Sequence, residues 1–146
     1  MKLGTKTRYS TRAMVDLALN YGNGTGIVSS REIAEHQEVS PKYLEALLAA
    51  LRAAGLVRSV RGAQGGHTLT RPPAQINLRQ IYQVFEGTDG FVECTTDPEY
   101  CTRTDACVTQ EVWTQMYDAC MEILESTTLE DLARRAKENR EEPAAI

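Results

Sequence analysis

The sequence lacks several features on which common classes of protein depend. Among its 146 residues no apolar run approaches the roughly 18 residues needed to cross a bilayer. Asp16 interrupts the apolar part of the basic N-terminal segment, and no small-residue cleavage site follows it, so a signal peptide is not expected. We therefore expect a cytoplasmic protein with no membrane partner.

Arrangements typical of enzymes are missing as well. The chain has only two histidines, which we interpret as surface residues, and no pattern resembles a nucleophile with its base or a carboxylate pair on an apolar wall. The sequence contains no internal repeats. We expect neither enzymatic activity nor a small-molecule substrate.

The charge is unevenly distributed along the chain, although the net value is only −4. Residues 1–80 contain 11 Lys and Arg against 5 Asp and Glu, whereas residues 81–146 contain 5 against 15. The two halves therefore carry formal charges of +6 and −10. Unless the asymmetry is accidental, it favours an anionic partner such as nucleic acid for the first half.

Three helical patterns follow one another in the basic half. The second begins at Ser29 with an S-x-x-E capping box, and the third begins at Ser40 with Pro41 in its first helical position. The apolar positions of the third helix are Leu44, Leu47, Leu48 and Leu51. A short helix, a tight turn and a longer helix predict a helix-turn-helix, with a generic helical bundle as the alternative.

Two short β-like runs, 56–60 and 67–70, follow the third helix and are joined by the sequence RGAQGG. A basic, glycine-rich hairpin in this place predicts the wing of a winged helix-turn-helix. A nucleotide-binding loop is the weaker alternative, because its glycines would need a strand before them and a helix after them. The expected fold class is mainly α with a small β wing.

The third helix of such a domain enters the major groove of DNA with its N-terminal part. Glu45 is unusual there, since a carboxylate can only accept hydrogen bonds, most usefully from a cytosine amine. The alternative is that Glu45 is a solvated surface residue. Arginine suits phosphates and narrow minor grooves, and glycine permits close backbone approach. The candidate DNA-binding residues are Ser40, Lys42, Tyr43, Glu45, Arg58, Arg61, Gly62 and Arg8, with Arg12 in addition.

The acidic half is predicted to contain three more helices, beginning near Asn77, Val108 and Thr128. The long helix from Val108 has a broad apolar stripe that a single wing domain cannot bury, which favours a dimer interface over an intramolecular core. The stripe comprises Val112, Trp113, Met116, Tyr117, Cys120, Ile123 and Leu124. We divide the chain into a DNA-binding domain (1–76), a connecting helix and cysteine loop (77–107), dimerisation and C-terminal helices (108–137) and a flexible tail (138–146).

Three of the four cysteines, Cys94, Cys101 and Cys107, lie in one polar loop. Their C-x6-C-x5-C spacing differs from the C-x2-C pairs of zinc knuckles. Soft thiolates select iron–sulfur clusters or zinc, and long spacings let a loop surround a body larger than one ion. A reversible thiol site is the third possibility. Cys120 lies about 20 Å further along a helix and is expected to be a buried core cysteine.

Several of these segments resemble the IscR/NsrR/RirA family of winged-helix regulators, many of which carry iron–sulfur clusters. The resemblance covers about residues 1–135 and rests on MKLGTKTRY with AMVDLALN, on VSPKYLEALLAALRAAGLVRSVRG, and on the cysteine loop followed by Val112-Trp113. It implies a homodimer on a partly palindromic operator, with the long helix as the dimer contact. It also implies that Cys94, Cys101 and Cys107 ligate a cluster, with 2Fe–2S preferred over 4Fe–4S.

The chain departs from the family at the fourth ligand. The IscR branch has a histidine where this chain has Gln110, and the NsrR branch has an aspartate where this chain has Arg8. A third arrangement uses a glutamate at that second position and a histidine at what is here Gln37, next to His36. The main candidates are Gln110 and Glu111, beside Glu93, Asp105, a residue of the partner, water or a small thiol.

Together these features predict a homodimeric, DNA-binding transcription regulator controlled by an iron–sulfur cluster that senses iron, redox state or nitric oxide. Its action as a repressor is the working expectation, although the sequence does not separate repression from activation. A thiol-based regulator without a cluster is the first alternative, and an iron–sulfur carrier protein is the second. The basic winged half argues against the carrier, which needs no such surface.

Overall fold

The computed structural model describes residues 3–141, which form six α-helices, one antiparallel hairpin and three short 3-10 helices. The mainly helical architecture with a small β wing is as predicted. The elements are α1 (Thr5–Asn20), α2 (Ser30–Gln37), α3 (Pro41–Ala53), β1 (Val57–Val60), β2 (Gly66–Leu69), α4 (Leu78–Glu86), α5 (Val108–Ser126) and α6 (Leu129–Glu141).

The helix-turn-helix is formed by α2 and α3, and its ends carry the predicted caps. The Ser29 hydroxyl accepts from the Glu32 N–H at 3.2 Å, and the Ser40 hydroxyl accepts from the Tyr43 N–H at 3.1 Å. Between the helices, Glu38 takes a left-handed conformation with φ of 54°. Since both helices begin on a hydroxyl cap, their starting points are determined by local sequence.

The wing is attached to the helix-turn-helix by its second strand. In the hairpin Ser59 of β1 lies opposite His67 of β2. The backbone of His67 also exchanges two hydrogen bonds with Val28, of 2.8 and 2.9 Å, just before α2 begins. A side chain at Gly66 would overlap the Val28 carbonyl, so this close approach requires glycine. The wing is therefore positioned by α2 as well as by its own turn.

One apolar core joins the DNA-binding half to the C-terminal helix. The predicted leucines of α3 are all buried, and α6 packs against α1. No residue from Tyr82 to Cys120 is fully buried. The largest fully buried side chains include Met14, Leu17, Ile33, Leu44, Leu48, Leu51, Ile76, Ile81 and Leu129.

The last helix is longer than expected. A capping box begins it, in which the Thr128 hydroxyl accepts from the Asp131 N–H and the Asp131 carboxylate accepts from the Thr128 N–H. The helix then continues to Glu141, into the first four residues of the segment expected to be a tail, because Glu, Lys and Arg propagate a helix once it has begun. Residues 142–146 lie outside the described residues. Within the described range, no helix has the length and hydropathy to span a membrane.

Candidate nucleic-acid interface and cysteine loop

The residues predicted to contact DNA lie on exposed surfaces of α1, α3 and the wing. Ser40, Lys42 and Glu45 project from the first turns of α3, and Tyr43 is half-buried. Gly62 has a φ of 115°, which favours glycine in the turn at the tip of the wing. The remaining exposed candidates are Arg8, Arg12, Arg58 and Arg61.

Tyr43 also packs α3 against α1. Its ring meets that of Tyr9 edge to face, with the centroids 6.0 Å apart. The Arg12 guanidinium lies 5.4 Å from the centroid of the Tyr9 ring. This contact joins α1 to the N-terminal end of α3.

His67 is buried beside the candidate interface, which corrects the expectation that both histidines are surface residues. Its backbone pairs with both β1 and Val28, and the residue is only 5% exposed. The ring nitrogens lie 2.7 Å from the Ser30 hydroxyl and 3.2 Å from the Ser59 hydroxyl. Burial lowers the pKa of His67, an effect that the nearby Glu45 carboxylate partly opposes.

Glu45 is connected to this buried histidine through Ser30. The Ser30 hydroxyl donates to Oε1 of Glu45, and the same oxygen lies 3.8 Å from Nε2 of His67. At the other end, the Arg52 guanidinium donates to the Ser59 hydroxyl at 3.1 Å. Ser30, Ser59 and Arg52 were not among the sequence candidates. The hairpin register could have paired Ser59 with His67, but the contact with Ser30 depends on tertiary packing.

The cysteine loop lies against the first half of α5. The Tyr117 hydroxyl donates to the Thr88 carbonyl at 3.1 Å, and the rings of Phe91 and Tyr117 meet edge to face. The side-chain amide of Gln110 donates to the Cys94 carbonyl at 2.7 Å, while its backbone N–H donates to the Cys107 carbonyl at 3.2 Å. Gln110 therefore joins the two ends of the loop.

All four cysteines are free thiols of intermediate exposure. Cys107 immediately precedes α5, and its sulfur lies 3.2 Å from the Thr109 hydroxyl. This hydrogen bond, followed by backbone N–H groups at the start of the helix, lowers the pKa of the Cys107 thiol. The expectation that Cys120 is a core cysteine is not met: it is half-buried and lines a groove on α5.

The donor chemistry of the loop fits an iron–sulfur cluster, since three partly exposed thiols are available on one segment. In the described part of the chain, however, no three Cys, His, Asp or Glu side chains lie close enough together to hold a metal ion. The ligand assignment of Cys94, Cys101 and Cys107 thus stays a prediction.

The apolar stripe of α5 is largely open in the single chain. Trp113 is 40% exposed and Ile123 is 64% exposed, and between them runs a groove of about 720 Å³. Other side chains that line it are Leu3, Tyr82, Phe91, Met116 and Cys120. The single chain therefore does not bury this stripe in its core. An intramolecular core was the alternative to a dimer contact.

Glu86 connects the end of α4 to the beginning of α1. Its carboxylate accepts from the Gly4 N–H at 2.8 Å and from the Thr7 hydroxyl. Gly4 has no side chain to cap α1, so a carboxylate from another helix occupies that role. Glu86 lies just before the cysteine loop. No local sequence pattern indicates its contact with Gly4, because the two residues approach each other only in the folded chain.

The fold, the exposed basic residues and the position of the wing define a winged-helix DNA-binding regulator. Residues 3–135 match the Rrf2 family, described as an iron-dependent transcriptional regulator, and the chain belongs to that family. The family includes the IscR/NsrR/RirA regulators, so the resemblance seen in the sequence is confirmed.

Individual relatives cover nearly the whole chain. The HTH-type transcriptional regulator CymR of Bacillus subtilis is 43% identical over 91% of this chain and 90% of its own. The solved structure of CymR, described as the global cysteine regulator of B. subtilis, superposes with a TM-score of 0.79 at 40% identity, covering 92% of this chain and 98% of that one. The structure of T. potens IscR has the same TM-score and identity and covers 99% and 94%.

Proposed function

We propose that this DNA-binding transcription regulator acts as a homodimer whose operator binding is controlled by an iron–sulfur cluster held by Cys94, Cys101 and Cys107. The observation that carries the proposal is the presence of three partly exposed thiols on one loop that lies on α5. The cluster, when bound, supplies iron–thiolate bonds whose formation depends on iron supply and redox state.

The fourth ligand position is open to a residue near the start of α5. The Gln110 amide nitrogen already donates to the Cys94 carbonyl, and a neutral amide is a poor iron ligand. Glu111, the next residue, is exposed and offers a charged oxygen. Of the two candidates, Glu111 is therefore the better ligand by its chemistry.

Two contacts connect the loop with the DNA-binding surface. Glu86, at the loop's N-terminal end, caps α1, and the Tyr9 ring of α1 packs on Tyr43 at the start of α3. Ordering of the loop would bias the position of α1 and hence of the helix that enters the major groove.

The apolar face of α5 is proposed to be the dimer contact. It carries Trp113, Met116 and Ile123 in exposed positions, and aromatic and methionine side chains are enriched at protein interfaces. Since the loop is bonded to α5 through Tyr117 and Gln110, its order and the spacing of the two DNA-binding units would depend on each other.

Anaerobic purification followed by an absorption spectrum and by iron and sulfide analysis tests the cluster. Wild type should be brown with inorganic sulfide, and Cys101→Ala should lose both. Cys120→Ala is the matched control, since it removes a thiol that lies outside the loop, and it should retain the colour. Wild-type protein that stays colourless after anaerobic reconstitution would contradict the proposal.

A thiol-based regulator is the second candidate, favoured by the lowered pKa of the Cys107 thiol. A thiolate beside a helix N-terminus reacts faster with oxidants than an ordinary cysteine. In that case mild peroxide should change DNA binding of the colourless protein, and Cys107→Ser should abolish the response while Cys120→Ser keeps it.

A further inference from the structure

We propose that Ser30 and His67 are positioning residues that hold the Glu45 carboxylate in one orientation, so that base discrimination by Glu45 depends on them. The inference rests on the proposed role of Glu45 at the DNA surface and adds two residues that do not themselves need to touch DNA.

The hydrogen bonds around His67 have a consistent direction. Ser30 donates its only hydroxyl proton to Glu45, so the contact of 2.7 Å with His67 requires Nε2 of the ring to be the donor. A neutral ring then accepts at Nδ1, where the Ser59 hydroxyl donates at 3.2 Å. Ser59 in turn accepts from Arg52. In this series of hydrogen bonds, the hydroxyls of Ser30 and Ser59 each donate once and accept once.

These hydrogen bonds connect the exposed side chain of Glu45 to a buried histidine. His67 is buried, and its backbone is bonded to Val28 on one side and to β1 on the other. Glu45, by contrast, has a side chain that is 49% exposed. A free glutamate at such a position would sample many rotamers, whereas a hydrogen bond from a fixed serine selects among them.

The geometry also leaves one oxygen of the Glu45 carboxylate free of this hydrogen bond. Oε1 of Glu45 receives the Ser30 proton, which leaves Oε2 available to accept from a base amine. An orientation that is set before binding costs less entropy on complex formation and distinguishes more sharply between bases.

Selection from a randomised duplex DNA pool, read by sequencing of the bound fraction, gives the base preference of each variant. Glu45→Ala should lose preference at the positions it contacts. Ser30→Ala should reduce preference at those same positions by roughly 3- to 10-fold, the effect of one hydrogen bond. His67→Gln should act in the same direction. Because Ser30 is only half-buried, Ser30→Ala keeps the test valid if His67→Gln fails to fold.

Three controls separate positioning from a general structural role. Ser30→Thr keeps the hydroxyl and should restore the wild-type preference. Ser126→Ala removes a hydroxyl that bonds only within α5 and should leave the preference unchanged. In a Glu45→Ala background, Ser30→Ala should cause no further change, since its effect passes through the carboxylate.

The results for Glu45→Ala and Ser30→Ala separate the positioning role of Ser30 from the DNA-reading role of Glu45. If Glu45→Ala alters the preference and Ser30→Ala does not, or weakens binding to all sequences alike, the positioning role is wrong while the DNA-reading role of Glu45 stands. If Glu45→Ala itself leaves the preference unchanged, both are wrong.

Discussion

The DNA-binding half and the segment from Tyr82 to Cys120 differ in how they are held together. In the first, α1, α3 and the wing share a continuous apolar core, and hydroxyl caps fix where the helices of the helix-turn-helix begin. In the second no residue is fully buried, and the loop contacts α5 through hydrogen bonds from Tyr117 and Gln110 and through the ring of Phe91.

This difference indicates which part is complete in a single chain. The elements that carry the predicted DNA contacts pack on one another, so their surface is formed within a single chain. The loop and the face of α5 present thiols and apolar side chains that a bound group or a second chain could cover. A regulator benefits from such a division, since a weakly held segment responds to a signal while the DNA-binding unit keeps its shape.

Removal of one side chain from each region should give the largest contrast. Leu48→Ala should lower the free energy of unfolding by about 2–5 kcal/mol, because it leaves a cavity among fully buried residues. Tyr100→Ala in the exposed loop should change it by less than about 0.5 kcal/mol. Urea unfolding of both variants measures the contrast, and equal losses would show that the loop is as firmly packed as the core.

A charge on α5 should affect assembly without affecting the single chain. Trp113→Glu should raise the dimer dissociation constant by roughly 30-fold or more, as expected for removal of a central aromatic anchor. Sedimentation velocity measures it. Gln115→Glu adds the same charge at an exposed position bonded to Glu111 and serves as the control. An unchanged dissociation constant for Trp113→Glu would remove this face from the dimer contact.

Glu86 links the two regions, and its loss should have an intermediate effect. Glu86→Ala should destabilise the fold by about 1–2 kcal/mol, because the N-terminal end of α1 loses its acceptor and a favourable charge. Glu125→Ala breaks an exposed ion pair of 2.7 Å with Arg79 and should cost no more than about 1 kcal/mol. Thermal unfolding compares the two, and a larger loss for Glu125→Ala would contradict the capping role.

The smallest effect concerns pH and is confined to the DNA-binding half. Burial lowers the pKa of His67 in the folded protein, so the unfolded chain binds this proton more readily. Its neutral form therefore supports the fold above the ordinary histidine pKa of about 6.5, and this support declines as pH falls from there towards the lowered value. His67→Gln should show a flatter loss of stability between pH 7.5 and 5.5 than wild type; parallel curves would contradict this.

Features predicted correctly from sequence depend on neighbouring residues. The caps at Ser29 and Ser40, the leucine stripe of α3 and the hairpin all follow from patterns a few residues long. The features that were not predicted depend on contacts between residues that are distant in the sequence. His67 was interpreted as a surface residue because its partners Ser30 and Glu45 lie 37 and 22 positions away.

The cysteine loop was predictable in composition but not in arrangement. Its polar sequence has no periodicity from which a shape could be inferred, and spacing alone does not place Cys94 against Gln110. In α6, a polar sequence favoured a frayed end, whereas the helix that begins at the Thr128 cap and packs on α1 continues as far as Glu141.

We propose that the cysteine loop, through its cluster, controls the DNA affinity of a surface that is already formed within the single chain. The most direct test is the operator affinity of one anaerobic preparation, measured before and after the cluster is removed, on a duplex selected from the randomised pool. If the cluster controls binding, removing it should change the affinity at least tenfold, and Cys101→Ala treated in the same way should show no comparable change. Equal affinities of the cluster-loaded and cluster-free wild type would contradict it.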